Sequence, residues 1–121
     1  MNVLVIEDNP QNMKLISCVL KKYGHVVFEA SSGLEGVEKA ISLQPDLILM
    51  DIQLPDIDGF EASRKIREKK SNIPIIAITS YAMAGDREKV MAAGCIGYFE
   101  KPINPLTIMK DIEKVLRGRN P

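Results

Sequence analysis

The chain has 121 residues with acids and bases balanced at 16 each, a length that suits one domain burying roughly two-thirds of its unfolded surface. The balance leaves no excess charge for capturing nucleic acid or an anionic membrane. Two cysteines without C-x-x-C spacing and a single histidine, His25, argue against a disulfide scaffold and against zinc or copper held by sulfur and imidazole.

Val3 to Ile6 is an apolar run broken at once by Glu7 and Asp8, so it reads as a buried strand, not as a signal peptide or a membrane span. Asn9-Pro10 predicts an N-cap followed by proline at the first helical position. Met13, Ile16, Leu20 and Tyr23 then recur at helical spacing up to Gly24, a left-handed stop. Val26 to Ala30 is a second strand, less apolar and so expected near a sheet edge. Ser32-Gly33-Leu34-Glu35 has the capping-box pattern, and Leu34, Val37 and Ile41 predict a short amphipathic helix.

After Pro45-Asp46, the run Leu47-Ile48-Leu49-Met50 is apolar without alternation, as in a strand buried on both faces of a parallel sheet. It ends on Asp51 and turns through Pro55 into a loop closed by Gly59. Asp58, with Glu61 three residues on, predicts the cap of a helix from Phe60 to about Lys69 with a charged outer face. Ile75 to Ile78 is another apolar strand, ending in Thr79-Ser80. The helix expected over Tyr81 to Ala93 is weak at its start, where Gly85 and Asp86 stand, and Gly94 ends it. Ile96 to Phe99 is a fifth strand, followed by Glu100-Lys101-Pro102. Asn104-Pro105 repeats the cap-plus-proline device ahead of a last helix carrying Ile108, Met109, Ile112, Val115 and Leu116 and ending near Gly118. Five strands alternating with five helices predict an α/β fold with helices on both faces of a parallel sheet. Residues 1–121 read as a single domain without an output domain.

Right-handed crossovers bring the carboxyl end of every strand to one rim, which is where such sheets bind ligands. That rim gathers Glu7, Asp8, Asp51, Thr79 and Lys101, polar positions within two residues of the ends of the apolar runs. Taken singly, Asp51 is as readily an acid that ends a strand and caps a turn, Lys101 a solvated lysine and Thr79 a strand-end hydroxyl. Their convergence is what favours a site. Two carboxylates about 4 Å apart repel by about 4 kcal/mol at the effective dielectric of a partly buried pocket. Either an acid stays protonated or a cation binds. An oxygen-only donor set with few carboxylates suits Mg²⁺, with Mn²⁺ as a substitute. Given a phosphorylated donor, Asp51 can serve as a carboxylate nucleophile. Lys101 would then stabilise the transferred group, and the Thr79 hydroxyl would bond one of its oxygens.

On Glu7-Asp8, the Asp51-x-x-x-Pro55-x-x-x-Gly59 spacing, Thr79 and Lys101-Pro102, the sequence resembles the receiver domains of two-component response regulators over its whole length. Asn12-Met13-Lys14-Leu15, the run from Leu49 to Pro55, the run from Ala82 to Asp86 and Lys101-Pro102-Ile103 further resemble the single-domain regulators of the DivK type. The resemblance implies a flavodoxin-like (βα)5 fold of strand order 2-1-3-4-5. It implies Asp51 as acceptor of a phosphoryl group from a histidine kinase or a histidine phosphotransfer protein. It places Mg²⁺ on Asp8, Asp51 and the Gln53 backbone carbonyl, with Glu7, a tolerated departure where many relatives have Asp, acting mainly through water. A cis Lys101-Pro102 bond is also implied.

For signalling, the resemblance couples Thr79 to Tyr98, whose alternative role is an edge-strand aromatic packed on the last helix. Output to a downstream protein is expected through the fourth helix, fifth strand and fifth helix. Ser80 and Tyr81 would border the pocket mouth, and Met83 and Met91 would serve there as contact residues or as core filling. The implied protein is a cytoplasmic phosphorelay component with no direct nucleic-acid or membrane partner, a monomer or a weak phosphorylation-dependent dimer. A Mg²⁺-dependent phosphohydrolase is the alternative from a different class. Such enzymes use a second acid two residues after the nucleophile, where this chain has Gln53, so a switch is expected rather than an enzyme. A receiver-like adaptor that is never phosphorylated would have no physical need of the retained Glu7, Asp8, Asp51, Thr79 and Lys101.

Overall fold

The continuous apolar runs form the inside of a five-stranded parallel sheet, seen in a computed structural model that describes residues 1–69, 71–80 and 86–118. In chain order the elements are β1 (Asn2–Ile6), α1 (Pro10–Lys22), β2 (Val26–Ala30), α2 (Gly33–Leu43) and β3 (Leu47–Asp51), then α3 (Gly59–Glu68), β4 (Ile75–Thr79), α4 (Asp86–Ala92), β5 (Gly97–Glu100) and α5 (Ile108–Gly118). The strands lie in the order β2-β1-β3-β4-β5 and every neighbouring pair is parallel. This is the expected flavodoxin-like arrangement, with β2 at an edge as its composition implied.

Side chains alternate across a strand, so each unbroken run feeds two cores at once. Leu4, Ile6, Ile48, Met50, Ile75 and Ala77 face one layer with Ala40 of α2, Ala62 and Ile66 of α3, and Val90 of α4. Val3, Val5, Leu47, Leu49, Ile76 and Ile78 face the other with Met13, Ile16 and Leu20 of α1 and Ile108, Met109 and Ile112 of α5. A strand with helices on both faces has no solvent side, which is why these stretches carry no polar alternation.

The local signals resolve much as expected, with differences that have physical causes. Asn9 Oδ1 accepts from the backbone N–H groups of Gln11 and Asn12 at 2.9 and 3.0 Å, and Gly24 stops α1 at φ +86°, a conformation glycine adopts freely. Tyr23, expected on the buried stripe, is instead exposed at the C-cap, where the helical phase has ended. In α2 the buried face is Gly33, Gly36 and Ala40, whereas Leu34 and Ile41 are 54% and 36% exposed. The smallest residues win this face because the helix backbone lies close to the sheet: a Cβ on Gly36 would stand within 3 Å of the Ile6 side chain. Ser32 accepts from Glu35 N at 3.2 Å as a capping box requires, but the return bond of Glu35 goes to Ser31 N at 2.6 Å. Asn104 does cap, accepting from Leu106 N at 2.9 Å. It caps a turn over 105–107, and α5 begins at Ile108. Of the fourth helix, the start expected at Tyr81 to Gly85 lies outside the described residues. Among the described residues no helix is long and apolar enough to cross a membrane.

Candidate functional site

β1 and β3 are neighbours with Ile6 opposite Met50, so the residues that follow, Glu7 and Asp51, emerge side by side at the carboxyl rim. Glu7 is fixed from two directions. Its backbone N–H continues the ladder to Ala30 at 3.0 Å, and Asn12 on α1 donates through Nδ2 to Glu7 Oε1 at 3.1 Å. Lys101 reaches the same point from the far side of the sheet. Its backbone N–H donates to the Thr79 carbonyl at 2.8 Å, and a cis peptide bond joins it to Pro102. Its ammonium donates to both oxygens of Glu7 at 3.0 and 3.2 Å and lies 3.2 Å from Asp51 Oδ2.

Glu7 and Asp51 are buried and Asp8 is exposed. One carboxylate oxygen from each of the three lies within 4.8 Å of the others. Burial, then the hydrogen bond and charge of Glu7, push the Asp51 carboxyl up to about 7, against the opposing pull of Gln53 N–H and Lys101. Burial works against the Lys101 ammonium, but its bonds to Glu7 and Asp51 hold its pKa above the ordinary value. One ammonium facing three acids leaves the pocket short of positive charge. The donors are all hard oxygens, the set that suits a small divalent cation such as Mg²⁺, and a bound dication would relieve the strain that raises Asp51.

The loop after β3 is held close to Asp51. Gly59 N–H donates to the Ile52 carbonyl at 2.8 Å, and a Cβ on Gly59 would run into the Asp51 carbonyl oxygen and sit 2.8 Å from Ile52 Cα. That is the physical content of the Asp51-to-Gly59 spacing: α3 starts on top of the backbone that carries Asp51. Gln53 N–H donates to Asp51 Oδ1 at 3.1 Å, orienting the carboxylate, while the Gln53 side chain is exposed.

Glu7, Asp8, Asp51 and Lys101 thus come together as the sequence led us to expect. Thr79 ends β4 and is buried at the same rim, one residue beyond the Asp51–Ile78 pair. Tyr98 sits on the edge strand β5 opposite Ala77, half-buried, and packs against the layer that α2, α3 and α4 cover. Ser80 and Met91 are exposed; Tyr81 and Met83 lie outside the described residues. Two contributors went unread. Asn12 is detectable only as an amide in the first turns of the helix that follows Glu7. Asp56 accepts from Gly33 N and Leu34 N of α2, each at 2.8 Å, and no local pattern in the sequence points to partners so far upstream.

Comparison with known proteins agrees with this geometry. The family model described as response regulator receiver domain matches residues 3–113. The polar-differentiation response regulator DivK of Brucella ovis is 39% identical over 117 residues, 95% of each chain. Among solved structures, the chemotaxis response regulator CheY4 of Vibrio cholerae superposes with a TM-score of 0.89 at 28% identity, covering 94% of this chain and 97% of that one. The receiver domain of the sensor histidine kinase PA1611 from Pseudomonas aeruginosa, with a magnesium ion coordinated in its active-site cleft, gives 0.85 at 36% identity over 93% and 94% of the chains. The chain belongs to the response regulator receiver domain family, the phosphate-accepting class of two-component signalling.

Proposed function

We propose that this chain is a freestanding receiver that accepts a phosphoryl group on Asp51 from a histidine kinase or histidine phosphotransfer protein, and that the phosphorylated form docks differently to a downstream protein. The DivK relative, whose length is matched over 95%, supports a receiver acting without an attached output domain. The observation that carries the reading is the meeting of Lys101 with Glu7 and Asp51 at 3.0 and 3.2 Å beside Asp8.

In the proposed reaction an Asp51 oxygen attacks phosphorus, the O–P bond forms as the donor's P–N bond breaks, and the imidazole leaves with the electron pair. Asp8, Asp51 and the Gln53 backbone carbonyl would hold Mg²⁺, with Glu7 acting mainly through water. The ion supplies charge neutralisation for the transferred phosphoryl oxygens and keeps Asp51 ionised at neutral pH. Lys101 pairs with the carboxylates before reaction and turns to the phosphoryl oxygens as they arrive. The buried Thr79 hydroxyl accepts the remaining place beside them, and Tyr98 responds to the position of Thr79. The fourth helix, β5 and α5 carry the change to a cytoplasmic protein partner. The Gln53 side chain argues against turnover of phosphate esters, because it is no acid for a leaving group.

Incubation with acetyl phosphate and Mg²⁺ tests the reading. The expected product is an acid-stable, hydroxylamine-labile adduct of one phosphate per chain, absent without the metal and absent from Asp51→Asn. Sustained hydrolysis of phosphate esters would point to an enzyme instead, and no adduct to an adaptor.

A further inference from the structure

Asp56 lies in the irregular loop between Gln53 and Asp58. Its two carboxylate oxygens accept separately from the first two backbone N–H groups of α2, Gly33 and Leu34, at 2.8 Å each. The approach is tight enough that a Cβ on Gly33 would sit 2.9 Å from the Ile57 carbonyl oxygen. α2 does not need this carboxylate to have a cap, since Ser32 already serves its N-terminus through Glu35 N. The helix is itself a fixed reference. Gly36 presses on Ile6, the residue that immediately precedes Glu7 and Asp8. Asp56 therefore closes a physical circuit: the strand bearing Glu7 and Asp8 seats α2, α2 holds Asp56, and the loop of Asp56 carries Gln53 back to Asp51, to which Gln53 N–H donates.

We propose that Asp56 is a positioning residue for metal binding, fixing the loop that carries the Gln53 carbonyl relative to Asp8 and Asp51 by anchoring it to the N-terminus of α2. The inference rests on the reading of the site given above. Partners that orient the ligands of a metal characteristically change its affinity by about 10–100-fold when removed, and Asp56, which bonds α2 and reaches Gln53 only through the backbone between them, is expected at the lower end of that range.

The test measures Mg²⁺ dissociation constants by calorimetry, and melting temperatures without metal, on the full chain and on Asp56→Ala, Asp56→Asn, Ser32→Ala and Asp8→Asn. We expect Asp56→Ala to weaken Mg²⁺ by about 10-fold or more. Asp56→Asn, which keeps one acceptor oxygen, should fall between it and the wild type and stands in should the alanine variant fail to fold. The rate of phosphorylation by acetyl phosphate should return to the wild-type value at saturating Mg²⁺ in both Asp56 variants, because the reacting groups are untouched. Ser32→Ala removes the other cap and should lower the melting temperature while leaving Mg²⁺ affinity within twofold. Unchanged affinity in the Asp56 variants, or an equal loss in Ser32→Ala, overturns the proposal and reduces Asp56 to a helix cap. Wild-type protein that binds no Mg²⁺, or an Asp8→Asn variant that binds it as well as wild type, fails the site reading itself and is distinguishable from either result.

Discussion

The two halves of the rim are built differently. On β1 and β3 the approach to the site is sealed: Val3 to Ile6 and Leu47 to Met50 have no exposed surface, and Gly59 lets α3 press on the backbone of Asp51. β4 is as buried as β3, and the packing loosens only at β5, the edge strand beyond it. Residues 97–99 of β5, Tyr98 among them, are half-buried, and Met91 on the neighbouring helix is 52% exposed. Transfer of a phosphoryl group needs donors and acceptor fixed before reaction, whereas relaying the result needs an element with two arrangements of similar energy. Under the proposed function the enclosed half suits the first task and the edge half the second, with the Lys101 ammonium, ion-paired to Glu7 and Asp51, the link between them.

Lys101→Met should give the largest effect, because it cuts that link while keeping most of the side-chain volume. Removing a charge stabiliser of this kind costs about 10²–10³-fold in rate, measured as initial adduct formation from acetyl phosphate at saturating Mg²⁺. A rate within threefold of wild type would mean that the edge half contributes nothing to the chemistry.

Asp51→Asn probes the enclosed half through its electrostatics. The folded protein holds the Asp51 proton up to about pH 7, while an unfolded chain releases it near 4. Raising pH across that window therefore destabilises the metal-free fold, and the penalty is complete above about 7. The opposing ion pair with Lys101 and solvent at the rim keep the penalty to about 2 kcal/mol. Urea melts without metal should show the asparagine variant gaining on wild type by that amount between pH 4 and 7, then holding level. A difference that does not vary with pH would rule out a shifted Asp51.

Glycine substitutions compare the halves by packing alone. Gly59→Ala sets a methyl against the Asp51 carbonyl and Ile52 Cα, backbone atoms that cannot rotate away, and should cost about 1–3 kcal/mol. Gly97→Ala on β5 meets the Val115 side chain at 3.1 Å, which can yield, and should stay within about 0.5 kcal/mol. Equal costs in denaturant melts would erase the distinction between a sealed and a loose side.

The same division explains what could be read from the chain itself. The enclosed half announces itself, because a strand covered on both faces must be apolar throughout, and the first acid after such a run marks the rim. Asp51, Glu7 and Asp8 follow from that rule together with right-handed crossovers. What escaped is whatever depends on distance between backbones. Leu34 and Ile41 match an amphipathic helix, but the close seat of α2 on Ile6 admits only Gly36 and Ala40, and hydrophobicity gives no hint of that spacing. Asp56 reads as a turn residue because its partners, Gly33 and Leu34, are backbone amides with no sequence signature. Tyr98 carries two roles in the sequence, and a half-buried edge position packed against the α2, α3 and α4 layer is compatible with either.

The smallest expected change in chemistry tests the looser half most directly. Tyr98→Ala removes a half-buried aromatic from an edge strand, a substitution that trims packing beside β4 without touching the carboxylates or Lys101. Adduct formation from acetyl phosphate should stay within twofold of wild type. The amide shifts that phosphorylation produces along β5 and α5, followed by ¹⁵N NMR, should shrink, since the side chain that would transmit the movement of Thr79 is gone. Tyr98→Phe keeps the ring and should leave both readouts near wild type, as a coupling carried by shape requires. A tenfold fall in adduct formation with either variant would assign Tyr98 to the phosphate-accepting half, and a full set of phosphorylation shifts in Tyr98→Ala would remove it from the relay.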